Sequence, residues 1–294
     1  MWRQLSVATE ERLADAVADA MSGLGALSVS LQDEGDQPLF EPKPGETPVW
    51  QDTRVVALFE PDVQPELLRA ALESRFGAHS LHAWRVEEIQ DQAWERAWLE
   101  HFKPMRFGRR LWIVPTGFAA PEQEDAVCVA LDPGLAFGTG THPTTALCLR
   151  WLDGMDLKGK TLIDYGCGSG ILAVAALLLG AEGAEAVDID PQALTATRDN
   201  AEKNGVAGRL RCRYPKEIGP VQADMLVANI LANPLLELAE ELAAMVRPGG
   251  ALALSGILRE QADAVSQAYA PWFRMDPPEF EEDWTRLSGV RREE

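Results

Sequence analysis

Cysteine is scarce in this sequence, and the four cysteines present are not spaced as metal ligands or redox pairs. They lie far apart in the 294 residues, at positions 128, 148, 167 and 212. No C-x-x-C pair occurs, so neither a disulfide framework nor a structural zinc site is indicated. We therefore expect no bound metal and no dependence on an oxidising compartment.

Long apolar runs are also missing. The longest, Ile171–Ala181, has eleven residues, which is too short to cross a bilayer with a hydrocarbon core of about 30 Å. The first residues, MWRQLSVATEER, contain no apolar signal core. Because hydrophobic (46%) and charged (25%) contents are ordinary for a globular protein, we expect a soluble cytoplasmic chain with no membrane partner.

Positive charge is in short supply. Lys and Arg number 27 against 46 Asp and Glu, which gives a net charge of −19, and residues 1–88 hold 16 acids and 7 bases. Such a surface repels nucleic-acid backbones and attracts basic partners, although acidity also serves plain solubility. We expect no direct nucleic-acid binding, and we expect any basic protein partner to contact residues 1–88.

The most informative segment is a short strand, a glycine-rich turn and an apolar helix. Thr161–Tyr165 is predicted as a buried strand, and glycines follow at 166, 168 and 170. A dinucleotide fingerprint would need a third glycine at position 171, which is Ile171. The pattern present is D-x-G-x-G-x-G, which resembles motif I of S-adenosylmethionine (SAM) dependent methyltransferases with a Rossmann-like fold.

An acidic residue answers the glycine turn from the next predicted strand, Ala184–Ile189. Asp188 near its end is placed to bind the hydroxyl pair of a ribose. Asp190 is followed by Pro191 and is better explained as a helix N-cap. The alternative is a turn that merely joins strand to helix, with Asp188 as a surface acid. The combination of turn and acid favours SAM as the cofactor.

The predicted elements fall into two domains, α/β in overall class. Residues 1–88 read as β-α-β-β-α-β, a small ferredoxin-like α+β domain, in which Thr9 is the predicted N-cap of the first helix. Residues 89–103 form a predicted amphipathic linker helix. Residues 104–294 form the Rossmann-like SAM-dependent methyltransferase domain, which closes with antiparallel strands near the C-terminus.

Two further segments are candidates for the site. Asp132–Thr145, DPGLAFGTGTHPTT, is a long Gly/Thr/Pro-rich loop of the kind that is usually functional. Its His142 is either a general base or part of the loop architecture through its ring nitrogens. Asn229 comes just past a predicted strand, Ala223–Ala228, at the edge where open α/β sheets bind ligands.

Together, DPGLAFGTGTHPTT, DYGCGSGILAVAA, AVDIDP and VANILANPL resemble the ribosomal protein L11 methyltransferase (PrmA) family over the whole chain. The resemblance implies an enzyme that transfers methyl groups from SAM to lysine side chains and the N-terminal amine of a large-subunit ribosomal protein at the stalk base, up to trimethylation. It implies that the N-terminal domain recognises this basic protein. It places cofactor contacts at Thr145, Gly166, Asp188 and Asn229, and the glycine pattern adds Gly168.

The predicted catalytic residues are Asn229 and His142. A free lysine has a pKa of about 10.4, and only its neutral form attacks. A neutral acceptor such as the Asn229 amide can orient the amine without favouring the ammonium form, as a carboxylate would.

Two other functions compete with this interpretation. An RNA or small-molecule methyltransferase is one, because NILANP faintly resembles the Asn-Pro-Pro-Tyr loop of base methylators, although Ile230 and Leu231 replace both prolines. A non-enzymatic SAM-binding scaffold is the other, and the intact motif argues against it. A monomer is the default expectation.

Overall fold

The computed structural model describes residues 2–35, 50–89, 103–132 and 142–293. The chain divides into two compact units, residues 1–97 and 98–294, and each is considered by itself. The predicted linker helix, residues 89–103, falls almost entirely outside the described residues, so its extent and the predicted domain limits stay predictions.

The first unit has the predicted β-α-β-β-α-β order. Its elements are β1 (Trp2–Glu10), α1 (Glu11–Gly23), β2 (Ser28–Asp33), β3 (Asp52–Phe59), α2 (Pro65–Phe76) and β4 (His82–Ile89). The four strands form one antiparallel sheet in the order β2-β3-β1-β4. Alternate apolar residues of β1 and β3 pack against the inner faces of both helices, through side chains that include Val7, Phe59, Met21 and Leu72. This is the predicted ferredoxin-like arrangement.

The predicted cap of α1 is wrong. The N-cap position is Glu10, and its side chain makes no capping hydrogen bond. Thr9 belongs to β1, where it is fully buried opposite Thr53, and its hydroxyl donates to the Ser80 carbonyl at 2.9 Å. The Thr9 hydroxyl therefore binds a carbonyl that is distant in sequence and does not make the cap of α1 that the local sequence pattern had predicted.

The second unit begins with a small sheet and continues with a large one. The small sheet consists of β5 (Met105–Phe107), β6 (Leu111–Val114) and β7 (Val127–Ala130). The remaining elements are α3 (Pro143–Gly154), β8 (Thr161–Tyr165), α4 (Ile171–Leu178), β9 (Gly183–Val187), α5 (Pro191–Lys203), β10 (Leu210–Arg213), β11 (Ala223–Asn229), α6 (Ala232–Glu237), α7 (Ala239–Ala244), β12 (Val246–Leu258), α8 (Ala262–Tyr269), β13 (Phe273–Met275), β14 (Glu279–Glu281) and β15 (Trp284–Arg291). Among the described helices, none has the length and apolarity that crossing a membrane requires.

The large sheet has the strand order β10-β9-β8-β11-β12-β15-β13, and β14 pairs with β15. Its first five strands are parallel, and β15 runs antiparallel to both β12 and β13. The direction of chain progression reverses between β8 and β11. In open α/β sheets, ligands bind outside the carboxyl ends of the strands at such a reversal.

Helices cover both faces of this sheet, which explains why its strands read as continuous apolar runs. Successive residues of β8 point to opposite faces, so Leu162 joins one core cluster and Ile163 the other. The first cluster takes in α3 and α4, and the second takes in α6, α7 and α8. Because described helices cover both faces, we expect a ligand of this sheet to bind at the strand ends.

The Tyr269 hydroxyl offers a test of this packing. Tyr269 is fully buried in α8 and donates to the Leu235 carbonyl of α6 at 2.8 Å. We expect Tyr269→Phe to lower the free energy of unfolding by about 1 kcal/mol, measured by urea denaturation. Tyr214→Phe is the control, because Tyr214 is 39% exposed. Equal losses in the two variants would contradict a specific α6–α8 hydrogen bond.

Candidate active site

The turn after β8 depends on its glycines for conformation. Gly166, Gly168 and Gly170 have φ values of 77°, 54° and 74°, a region that side chains rarely adopt. At Gly170 space is short as well, because an added Cβ would lie 2.6 Å from Cγ2 of Thr197. The alternate glycines of the sequence therefore encode one specific backbone path at the carboxyl end of β8.

Asp164 holds the start of α4 from within the core. Gly170 occupies the N-cap position and has no side chain to offer, but the Ala173 N–H donates to Oδ2 of Asp164 at 3.0 Å. A free N–H of the first helical turn is thereby satisfied. The other oxygen, Oδ1, is buried and has no hydrogen-bond partner in the described ranges. Burial raises the pKa of Asp164 to about 7, and the Asp188 carboxylate adds to the shift.

Asp188 lies beside the turn, as the sequence predicted, but just outside the strand. β9 ends at Val187, earlier than the predicted end at Ile189. The Asp188 carboxylate accepts from the Gly168 N–H at 2.9 Å and from the Asp190 N–H at 3.0 Å. These bonds connect the loop after β9 to the glycine turn after β8. Asp190 caps α5, as predicted, by accepting from the Gln192 N–H at 2.8 Å.

Helix α5 holds the same turn from the other side, through residues that sequence reasoning missed. The Thr197 hydroxyl donates to the Gly168 carbonyl at 3.0 Å, and Asn200 Nδ2 donates to the Ser169 carbonyl at 2.8 Å. Only their spacing of three on a predicted helix hinted at a shared face. Hydrogen bonds with Asp188 on one side and with α5 on the other therefore hold the peptide groups of the turn.

The far end of α5 makes a second set of contacts. The Asn204 side chain accepts from the Ala130 N–H at 2.7 Å and donates to the Ala130 carbonyl at 2.8 Å. Lys203 forms an ion pair with Asp132, which also accepts from the backbone N–H of Thr116 at 2.6 Å. The same helix therefore contacts both the glycine turn and the end of β7, where the predicted Gly/Thr/Pro-rich loop starts. Residues 133–141 of that loop lie outside the described residues.

Thr145 and Asn229 are brought together from distant parts of the chain. Asn229 ends β11, and its Nδ2 donates to the hydroxyl of Thr145 at 3.3 Å. Thr145 is buried in the first turn of α3. No other hydrogen bond of the Asn229 side chain occurs in the described ranges, which leaves Oδ1 as an acceptor at the carboxyl edge of the sheet.

His142 is the N-cap of α3. Its Nδ1 accepts weakly from the Thr144 N–H at 3.4 Å, lies 2.8 Å from the Thr144 hydroxyl, and the ring packs edge-on against Trp284. Burial lowers the pKa of His142, and Glu282 opposes the shift. A neutral imidazole that accepts at Nδ1 carries its proton on Nε2. The geometry therefore supports the architectural role rather than that of a base.

Two apolar side chains at this edge were not assigned by sequence reasoning. Ile189, directly after Asp188, is 82% exposed, and Leu231, two residues after Asn229, is 48% exposed. The sequence contains a signal for both of them. Each follows a polar residue at the end of a strand, where an apolar side chain no longer has the core of the sheet to join.

Within the described ranges, no group of three His, Cys, Asp or Glu side chains is placed to hold a metal ion.

A glycine turn after the first strand of the parallel sheet, an acid after the second and an antiparallel closing strand define the class of Rossmann-like SAM-dependent methyltransferases. The family profile described as "Ribosomal protein L11 methyltransferase (PrmA)" matches residues 1–292. The chain belongs to this family.

Curated relatives agree with this assignment over their full lengths. A ribosomal protein L11 methyltransferase of Methylococcus capsulatus is 60% identical over 293 residues, covering 99% of this chain and 100% of the relative. One from Hahella chejuensis is 53% identical, covering 99% and 98%. The crystal structure of a ribosomal protein L11 methylase from Lactobacillus delbrueckii subsp. bulgaricus is 34% identical, with a TM-score of 0.60, covering 65% of this chain and 100% of that one.

Burial of Asp164 predicts a pH-dependent stability. Its folded pKa of about 7 lies above the value of about 3.9 for an unfolded aspartate. The folded state therefore holds the extra proton between these values, and the associated stability is full below pH about 4 and is lost as the pH rises through 7. We expect wild type to lose about 2–3 kcal/mol relative to Asp164→Asn between pH 5 and pH 8.

Urea unfolding of both proteins across this pH range measures the difference. Asp263→Asn is the matched control, because Asp263 is an exposed residue in the first turn of α8. A constant gap between wild type and Asp164→Asn at every pH would show that the buried carboxyl does not titrate there.

Proposed function

We propose that this chain methylates amines of ribosomal protein L11, using SAM as the methyl donor. The observation that carries the proposal is the Asn229–Thr145 pair beside the glycine turn, with Oδ1 of Asn229 left as an acceptor. Relatives 53–60% identical over nearly the whole chain bear the name of this activity. The acceptor amines are the lysine side chains and N-terminal amine, carried to trimethylation.

The residues around the turn fit SAM. The positive φ values of Gly166 and Gly168 bring the backbone of the turn to the carboxyl edge of the sheet, and Asp188 and exposed Ile189 offer a polar and an apolar group side by side. Asp164 contributes a buried oxygen that has no hydrogen-bond partner within the described residues, and the neighbouring Asp188 carboxylate complements a cationic ligand. SAM, when bound, supplies a methyl carbon that its sulfonium activates towards displacement.

The acceptor amine must arrive uncharged and aligned. A lysine ammonium, with a pKa of about 10.4, has no lone pair to attack with, and a carboxylate beside it would hold the proton. Asn229 Oδ1 orients the neutral amine without that penalty, and its link to Thr145 keeps the amide in place. His142 is not required as a base, because the proton can pass to bulk water before attack.

The charge distribution suits a basic protein substrate. Residues 1–88 hold 16 acids and 7 bases, and we assign substrate recognition to this domain. The enzyme works as a cytoplasmic monomer. It contacts protein rather than nucleic acid, and this choice of partner agrees with the net charge of −19.

Tritiated SAM offered with purified L11, the other large-subunit proteins or ribosomal RNA tests the proposal directly. We expect label on L11 alone, in mass steps of three methyl groups at individual amines. Label on RNA would favour the rival RNA methyltransferase. SAM binding in calorimetry without label on any acceptor would overturn the substrate assignment and keep the cofactor.

Asn229→Asp separates cofactor binding from amine alignment. The carboxylate would stabilise the ammonium form of the substrate, so we expect turnover at saturating SAM to fall at least tenfold, well beyond any loss of SAM affinity measured by calorimetry. Asn233→Asp, an exposed position of α6 four residues further on, is the control and should retain turnover. Unchanged turnover in Asn229→Asp would count against an amine site bordered by this amide.

A further inference from the structure

Ile230 lies between two glycines that approach it too closely for any side chain. Gly166 and Gly256 have φ values of 77° and 85°. A Cβ on Gly166 would overlap the Cγ2 methyl of Ile230. A Cβ on Gly256 would overlap the Ile230 carbonyl, at 2.7 Å from its carbon. The side chain of Ile230 thus meets the cofactor turn, while its peptide meets β12.

These contacts join three neighbouring strand ends. Gly166 follows β8, Ile230 follows β11, and Gly256 lies in β12, one residue after Ser255, which is the register partner of Asn229. The pairing of β12 with β15 shifts register between Leu254 and Ile257, which is where Gly256 occurs. An irregularity in β12 therefore makes room for the Ile230 peptide.

The contact with Gly166 is stiff because of the shape of isoleucine. Cγ2 is bonded to Cβ, which is itself bonded to the backbone Cα, and a β-branched side chain has restricted χ1. The methyl cannot swing aside as the end of a leucine could. A displacement of the Gly166 turn would therefore push on the backbone that carries Asn229.

We propose that Ile230 is a positioning residue that fixes Asn229 relative to the cofactor turn. The role rests on the proposed function, in which the turn holds SAM and Asn229 orients the amine. In-line transfer requires the methyl group of SAM and the acceptor amine to be aligned, and a misplacement of about 1 Å can cost about 100-fold in rate. The Cγ2 methyl, rather than the bulk of the side chain, carries this role.

Two conservative variants distinguish a role of the Cγ2 methyl from a role of side-chain volume. Ile230→Val keeps Cγ2 and loses only the terminal Cδ1 methyl, whereas Ile230→Leu keeps the volume and loses the branch at Cβ. We expect Ile230→Val to remain within about twofold of wild type in SAM affinity and turnover. We expect Ile230→Leu to bind SAM about three- to tenfold more weakly and to turn over at least tenfold more slowly at saturating SAM.

A residue that merely fills space predicts the reverse order, because leucine conserves volume and valine leaves a cavity. Turnover in Ile230→Leu equal to or above that in Ile230→Val would overturn the proposal, as would equal SAM affinities in the two variants. Thermal midpoints of both variants confirm that each is folded. Calorimetry needs no acceptor protein, so the affinities test the positioning role even where L11 takes no label, a result that would overturn only the proposed function.

Discussion

Three glycines with positive φ between β8 and α4 set where every other part of the site can lie. Their path brings backbone, rather than side chains, to the carboxyl edge of the sheet. Asp164 accepts from the first turn of α4, Asp188, just after β9, accepts from the Gly168 N–H, and α5 donates to two carbonyls of the turn. The rigidity that results is a form of preorganisation, because the cost of ordering the loop is met in folding rather than at binding.

Asp164 shows what this rigidity costs. A fully buried carboxyl with one oxygen that has no partner in the described ranges is unfavourable when ionised. A neutral side chain would cap α4 less well and would bring no negative charge to the turn. With a pKa of about 7, the carboxyl is protonated at lower pH, and only its ionised form, which costs stability, places a negative charge beside the glycine turn.

Local patterns predicted a large part of the fold and the places of several candidate site residues within it. The glycine spacing, the acid of Asp188 and the position of Asn229 follow from elements whose order and period are visible in the sequence. Long-range contacts could not be predicted from local patterns. The residues around Thr9 do not indicate its hydrogen bond to Ser80, and those around Thr197 do not indicate its hydrogen bond to Gly168. In the sequence, Ile230 stands out only as the replacement of a proline, because its two glycine neighbours, Gly166 and Gly256, are distant in sequence.

Helix α5 has a consequence for how the chain can vary in length. Its contacts to the glycine turn and to β7 are made by Thr197, Asn200 and the C-cap residue Asn204, which at spacings of three and four share one helical face. One residue more or less between them would rotate the later contact by about 100°. We therefore expect an insertion or deletion between Thr197 and Asn204 to break one of these two sets of contacts, so that the number of residues in this part of the helix is constrained.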